Sequence, residues 1–205
     1  MNTKRIMDLI AALAGLLILS PILLIIALFI KMEDGGPVFY RGERVGKGGV
    51  HFKIFKFRTM VPDADKIGGS STPEDDRRIT RLGRILRKYK IDEIAQLINV
   101  LKGEMSIVGP RPQVAWAVEL YTDEEKLLLT VQPGITDYAS LKFSNEDEIL
   151  KGSKDPDKDY LEKIAPEKNR LAIEYVKHHS VMMDIKIILA TIKTIITKSN
   201  KGKTL

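Results

Sequence analysis

The chain has 205 residues and no cysteine, which excludes disulfides, thiolate metal sites and cysteine nucleophiles and fits a reducing compartment. Aromatic residues make up only 6%, with a single tryptophan, and they do not interleave with the basic residues as a base-stacking platform would. Nucleic acid is therefore not expected as a partner. The signatures of several large enzyme classes are missing as well: there is no Walker phosphate loop, no GxGxxG turn, no HExxH helix and no serine elbow. Long uncharged runs are almost absent. One exists, and without a second the chain does not read as a polytopic membrane protein.

That single run covers Leu9 to Ile30, 22 residues in which only Gly15, Ser20 and Pro21 fall outside the apolar set. As a continuous helix it would be roughly 33 Å long, close to the thickness of a bilayer's hydrocarbon core. Three readings are open from pattern alone. A spanning helix fits the length; a cleaved signal fits the basic Lys4-Arg5 start but has no small-residue cleavage pattern after it. A re-entrant hairpin fits Ser20-Pro21, because proline removes a backbone donor and crowds the preceding turn. Basic residues flank both ends, so charge does not assign the ends to opposite sides.

Beyond the run, composition is that of a soluble domain with net charge +5 over residues 31–205, and no internal repeat is visible. Val38-Phe39-Tyr40 and Val50 to Phe57 read as strands around the turn Gly46-Lys47-Gly48-Gly49. Residues 61–76 are polar and rich in glycine, serine and proline, which predicts a loop over a site. Thr80 is a candidate N-cap for a helix whose apolar spacing continues to Leu101, with Gly103 as its stop. Pro166 begins another helix, and Ile185, Ile188, Leu189, Ile192, Ile195 and Ile196 form the apolar stripe of a last one. Length and composition predict one globular domain with a sizeable core.

Three features bear on chemistry. Seven basic residues lie between Arg77 and Lys90 with no acid among them, a run suited to phosphate groups or anionic lipid headgroups. Asp92-Glu93 follows at once; the two carboxylates can flank one ligand or metal, or a structural ion pair to Arg87 or Lys88 can account for them. In Gly109-Pro110-Arg111-Pro112 the two prolines restrict where the Arg111 guanidinium points, which suits a fixed anion. Lys56 and Arg58 add cations at the end of a strand. His178-His179 are adjacent and make a poor metal pair.

Taken in order, these fragments resemble the bacterial sugar transferases, the monotopic polyprenyl-phosphate phosphoglycosyltransferases. The resemblance runs from Lys4-Arg5 and Asp8 through Ser20-Pro21, Gly36-Pro37-Val38-Phe39, Lys56-Phe57-Arg58-Thr59-Met60 and Arg81-Leu82-Gly83-Arg84. It continues with Ile91-Asp92-Glu93, Gln96 to Gly103, Met105-Ser106, Gly109 to Pro112, Pro133 to Thr136, and Asp184-Ile185. It implies residues 1–31 as a re-entrant helix-break-helix in one leaflet, broken at Ser20-Pro21, and residues 32–205 as a compact α/β catalytic domain with a small sheet and interfacial amphipathic helices on the cytoplasmic face of the bacterial inner membrane. It implies a UDP-sugar donor, a polyprenyl phosphate acceptor, contact with membrane lipid, and Mg²⁺. Asp92 would be the nucleophile, Glu93 its catalytic partner and, with Asp92, the metal ligand. Arg87, Arg111, Pro110, Pro112, Lys56, Arg58 and Asp184 would line the substrate site.

The chain departs from the family pattern after Asp92-Glu93, where Ile94-Ala95 replaces a common leucine-proline, and at Thr136-Asp137-Tyr138 and Phe143-Ser144-Asn145. The last two regions are candidates for sugar contact. A reading from a different class is a membrane-tethered scaffold whose basic helix grips anionic lipid or nucleic acid without catalysis.

Overall fold

The computed structural model describes residues 3–201. Helix α1 (Thr3–Asp34) contains the whole apolar run and stays helical across Pro21. Proline at this position leaves the Leu17 carbonyl, four residues back, without its usual N–H partner. The Ser20 hydroxyl donates to that carbonyl at 2.8 Å. The serine thus repairs locally what the proline removes, and the helix-break-helix expected from the resemblance is here one helix with the pair inside it.

Both ends of α1 pack on the same domain. At the start, Lys4 pairs with Asp184 at 2.5 Å and Asp8 accepts from the Ser106 hydroxyl and the Ile107 N–H. At the finish, Ile26 and Ile30 join a cluster with Phe57, Leu86 and Ala95, and Asp34 forms a two-pronged pair with Arg58. The outer side of the helix is bare: Ile18 is 75% exposed and Leu24 71%. Burying a side chain such as Ile30 contributes about 1.5–3 kcal/mol, so this exposed stripe is a surface matched to an apolar medium.

The sheet content is small. Strands β1 (Phe39–Tyr40), β2 (Glu43–Val45), β3 (His51–Lys53) and β4 (Lys56–Phe57) form two antiparallel pairs, β1 with β4 and β2 with β3. The single strand expected over Val50 to Phe57 is therefore two, each with a different partner, and the glycine turn joins β3 to β2. The Asn99 side chain stabilises the break: its Oδ1 accepts from Phe55 N–H at 2.8 Å and its amide donates to the Lys53 carbonyl.

Helix α2 (Arg81–Lys88) is capped by Thr80, whose hydroxyl accepts from Gly83 N–H at 3.0 Å. Gly83 lies against the Thr59 carbonyl, where a Cβ would sit 2.0 Å from the oxygen. The helix expected through to Leu101 does not continue. Lys90 takes a left-handed conformation (φ 55°), a 3₁₀ segment follows over Ile91–Gln96, and only then does α3 (Leu97–Lys102) resume, ending on Gly103 at φ 83°.

Strand β5 (Ser106–Val108) is followed by α4 (Ala115–Glu119), a 3₁₀ segment over Glu125–Thr130, and β6 (Gly134–Thr136), which pairs with β5 in parallel. Helices α5 (Tyr138–Lys142), α6 (Glu146–Ile149), α7 (Pro156–Lys163), α8 (Ala165–His178) and α9 (Val181–Lys201) complete the domain. The fold is thus mixed α/β, mainly helical, as expected. On α9, Leu189, Ile192 and Ile196 of the apolar stripe face outward, while Ile187 and Asp184 are fully buried.

Candidate active site

The departure from regular helix at Lys90 creates the site. The left-handed residue turns the chain so that Asp92 and Glu93 open the 3₁₀ segment and point inward, 5% and 8% exposed. Strand β4 packs on this segment and brings Lys56; the loop after β5 brings Arg111. That loop is rigid for more than its prolines. Gly109 N–H donates to the Thr136 carbonyl and Gly134 N–H to the Pro110 carbonyl, at 3.0 and 2.9 Å. The two glycines pack backbone to backbone, since a Cβ on Gly134 would lie 2.1 Å from Gly109 nitrogen.

The two acids have opposite surroundings. Glu93 is saturated: Lys56 Nζ lies 2.8 Å from Oε1, and Arg111 engages both oxygens in a fork. Burial alone would raise its pKa, but Arg111 first and Lys56 next hold the carboxyl well below its usual range. Asp92 Oδ1 is buried with no hydrogen-bond partner. Burial pushes the Asp92 pKa up; Lys56 opposes this, the Glu93 charge adds to it, and Arg87 and Lys90 oppose it. Lys56 is shifted down by burial against the pull of Glu93, and Arg111 is shifted up, chiefly by Glu93. Neighbouring acids whose environments drive them apart are a recurrent sign of divided catalytic roles.

Buried polar atoms without partners are uncommon. Among the described residues there are three such side-chain atoms, and two of them, Asp92 Oδ1 and Gln96 Nε2, lie on this one segment.

The residues expected at the site separate into two groups. Asp92, Glu93, Lys56, Arg87 and Arg111 come together, with Pro110 and Pro112 on either side of Arg111. Arg58 does not join them: its guanidinium is buried against Asp34 and the Pro37 carbonyl, where it anchors the end of α1. Asp184 also has its carboxylate occupied, by Lys4 and by the Tyr175 hydroxyl at 2.6 Å. The ion pair to Arg87 or Lys88 that offered a structural account of Asp92-Glu93 is replaced by Lys56 and Arg111. Two residues of the site carried no sequence signal as such. Lys90 was one cation among seven, and Glu146, whose charge acts on Arg111, sits in an acidic stretch without a motif.

The donor set fits Mg²⁺ in one form. No group of three or more acidic or histidine side chains is placed to hold a metal among the described residues. Mg²⁺ often takes only one or two protein carboxylates and completes its shell with water and substrate phosphates. Asp92 Oδ1 is a buried carboxylate oxygen without a hydrogen-bond partner, whereas both Glu93 oxygens are committed to cations, so of the two acids Asp92 is the one that would hold the ion.

Residues 1–198 match the family described as bacterial sugar transferase. The chain belongs to that family. It is 36% identical over 197 residues to the UDP-N-acetylgalactosamine-undecaprenyl-phosphate N-acetylgalactosaminephosphotransferase of Aeromonas hydrophila, covering 95% of this chain and 44% of the relative. It is 37% identical over 211 residues to the undecaprenyl-phosphate glucose phosphotransferase of Komagataeibacter xylinus, covering 98% of this chain and 37% of that protein. It is 36% identical over 200 residues to the UDP-glucose:undecaprenyl-phosphate glucose-1-phosphate transferase of Caulobacter vibrioides, covering 96% and 71%. The chain thus spans less than half the length of the first two of these bacterial sugar transferases.

Proposed function

We propose that the chain transfers a phosphosugar from a UDP-sugar to undecaprenyl phosphate, releasing UMP and forming undecaprenyl diphosphate-sugar. The observation that carries this reading is the partnerless, buried Asp92 carboxylate oxygen set among Lys56, Arg87, Lys90 and the loop of Arg111. The names of the relatives supply the acceptor and the kind of group transferred.

The chemistry runs in two displacements. An Asp92 oxygen bonds to the β-phosphorus as the bond from that phosphorus to the bridging oxygen breaks, and UMP departs with the electron pair. A phosphate oxygen of the lipid then attacks the same phosphorus and Asp92 leaves as carboxylate. Each step brings anions together, so fixed cations at the phosphates dominate the barrier. Glu93 holds Lys56 and Arg111 in place, and the charges of Arg87 and Lys90 act on the nucleophile. Bound Mg²⁺, with Asp92 as its protein ligand, would supply further neutralisation of phosphate charge.

The same reading places α1 in one leaflet with the domain on the cytoplasmic face, as the first membrane step of glycan assembly. It is supported by the two ends of α1, which are tied to one domain by Lys4–Asp184 and Asp34–Arg58 while the middle stays bare. The scaffold alternative accounts for the basic helix but leaves the Asp92 oxygen unexplained.

The test is UMP release from UDP-sugars by the chain in bilayer nanodiscs containing undecaprenyl phosphate, with and without Mg²⁺. Absence of UMP from every donor would overturn the reading. Because the chain has no native cysteine, single cysteines introduced at positions 2 and 33 report topology cleanly. Labelling of either from the periplasmic side would overturn the one-leaflet placement.

A further inference from the structure

Next to the Arg111 loop, α4, α7, α8 and the Glu125–Thr130 segment enclose a cavity of about 200 Å³ that the two displacements do not use. It is smaller than the roughly 300–1,000 Å³ of a pocket for a whole drug-sized ligand, and it suits a single ring. Its walls include Gln113, Leu120, Tyr121, Glu125, Tyr160 and Asn169, with no lysine or arginine. A wall with a carboxylate and no cation repels phosphate. Amides, tyrosines and one acid are instead the groups that recognise an uncharged polyhydroxylated ring.

The cavity is joined to the reacting centre in two ways. Gln113 is two residues beyond Arg111, so their Cα atoms are at most about 7.6 Å apart, and its backbone is fixed by the hydrogen bond from Val45 N–H. Tyr160 has Lys168 5.4 Å from its ring centre; Lys168 pairs with Glu146, whose charge acts on Arg111. In a nucleotide-sugar the hexose is attached directly to the β-phosphate, the phosphorus Asp92 would attack, whereas the nucleoside lies one phosphate further away.

We propose that this cavity receives the sugar ring of the donor and sets which sugar is accepted. The inference rests on the reading of the chain as a UDP-sugar transferase. The polar groups are already oriented. Gln113 Nε2 donates to the Tyr160 hydroxyl at 2.9 Å, which leaves the Tyr160 proton and Gln113 Oε1 for ligand hydroxyls. Asn169 donates to Glu125 at 2.7 Å, which fixes its amide and leaves its oxygen open. Sites built on such hydrogen bonds discriminate strongly, because a missing or inverted hydroxyl leaves a buried group unpaired.

The test uses the full chain in nanodiscs. It measures kcat/KM for UMP release from UDP-glucose, UDP-galactose and their two N-acetyl counterparts, together with the Kd of UDP. Asn169→Ala should shrink the ratio between the best donor and its C4 epimer about tenfold or more while UDP affinity stays within about twofold. Leu120→Trp, at a residue 61% exposed on the rim, should lower turnover of the best donor with the same indifference to UDP and no change in melting temperature. An unchanged donor ratio in Asn169→Ala, an unchanged turnover in Leu120→Trp, or a parallel loss of UDP binding would each overturn the assignment, the last by placing the nucleoside there. If the unaltered chain released no UMP from any donor, the proposed function itself would fail, a result distinct from both.

Discussion

Two buried ionic clusters, one at the start of α1 and one at Asp92, contain most of the charged residues that the family resemblance points to. In the cluster at the start of α1, Lys4 meets Asp184, Tyr175 donates to the same carboxylate, and Asp8 is bonded to Ser106 and Ile107. In the cluster at Asp92, Glu93 is matched by Lys56 and Arg111, but Asp92 Oδ1 has no partner. Both clusters bear the cost of desolvating charge. They differ in saturation: the first is closed, with every carboxylate matched, and the second is open, leaving one buried oxygen without a partner, which under the proposed function is where substrate engages. Asp184 and Asp92 are therefore predicted to fail in opposite ways.

The largest expected effect is on activity at the open cluster. Asp92→Asn should reduce UMP release by about 10⁴-fold while leaving the protein at least as stable near neutral pH. The sign follows from linkage. The Asp92 pKa is raised in the folded state, so between the unfolded and folded values the unfolded chain gives up its proton first and stability falls as pH rises. Removing the charge removes that loss. Thermal denaturation of wild type and variant should converge at low pH and separate above the ordinary carboxylate range. Full activity in Asp92→Asn would end the nucleophile assignment.

Next comes the closed cluster, where the loss is in stability. Asp184→Ala takes the carboxylate away from Lys4 and the Tyr175 hydroxyl, leaving both with the Val108 carbonyl as a shared acceptor; breaking such a buried pair should cost about 3–5 kcal/mol. The fraction that remains folded should turn over close to the wild-type rate, measured at low temperature against a folded standard. A stable Asp184→Ala protein with no activity would break the comparison and return Asp184 to the substrate site.

Glu93 lies between these extremes, since it is saturated yet belongs to the open cluster. Glu93→Gln frees Arg111 and Lys56 from their fixed positions, so both readouts should move. We expect a loss of about 10²–10³-fold in kcat/KM, the scale of one misplaced transition-state contact. The Glu93 pKa is depressed on folding, so its contribution to stability is present above the ordinary glutamate range and is lost as pH falls through the lower folded value. The variant should therefore lose melting temperature at neutral pH and little below that window.

How much of this was legible in the sequence depended on the range of the interaction. Local signals held: Thr80 capping α2, Gly103 ending α3, and the prolines stiffening Arg111 each act within a few residues. The N-terminal helix and the α9 stripe were legible from hydrophobicity alone. The break at Lys90 was not, because the apolar spacing runs through it and a left-handed lysine is not a turn signature. Nor were the ion partners. Lys56 and Glu93 are separated by 37 positions and Lys4 and Asp184 by 180, and no periodicity spans such distances. The family resemblance assigns Arg58 and Asp184 to the substrate site together with the reacting groups, and the structure shows each of them holding an end of α1. Only geometry separates an arginine holding Asp34 from one holding Glu93.

The smallest expected effect carries the saturation argument down to one backbone carbonyl. Pro21 removes the donor that the Leu17 carbonyl would have had, and the Ser20 hydroxyl takes its place at 2.8 Å. Ser20→Ala should therefore destabilise α1 by about 0.6–2 kcal/mol, the range for a single hydrogen bond in an apolar medium. Ser20→Thr, which keeps the hydroxyl, should restore most of it. Thermal denaturation in nanodiscs measures both, and amide exchange around Leu17 localises the change. If Ser20→Ala cost nothing, the Leu17 carbonyl would have to find water or a lipid headgroup instead. The middle of α1 would then lie shallow at the interface, and the exposed stripe around Ile18 and Leu24 would rest on the bilayer surface instead of entering one leaflet.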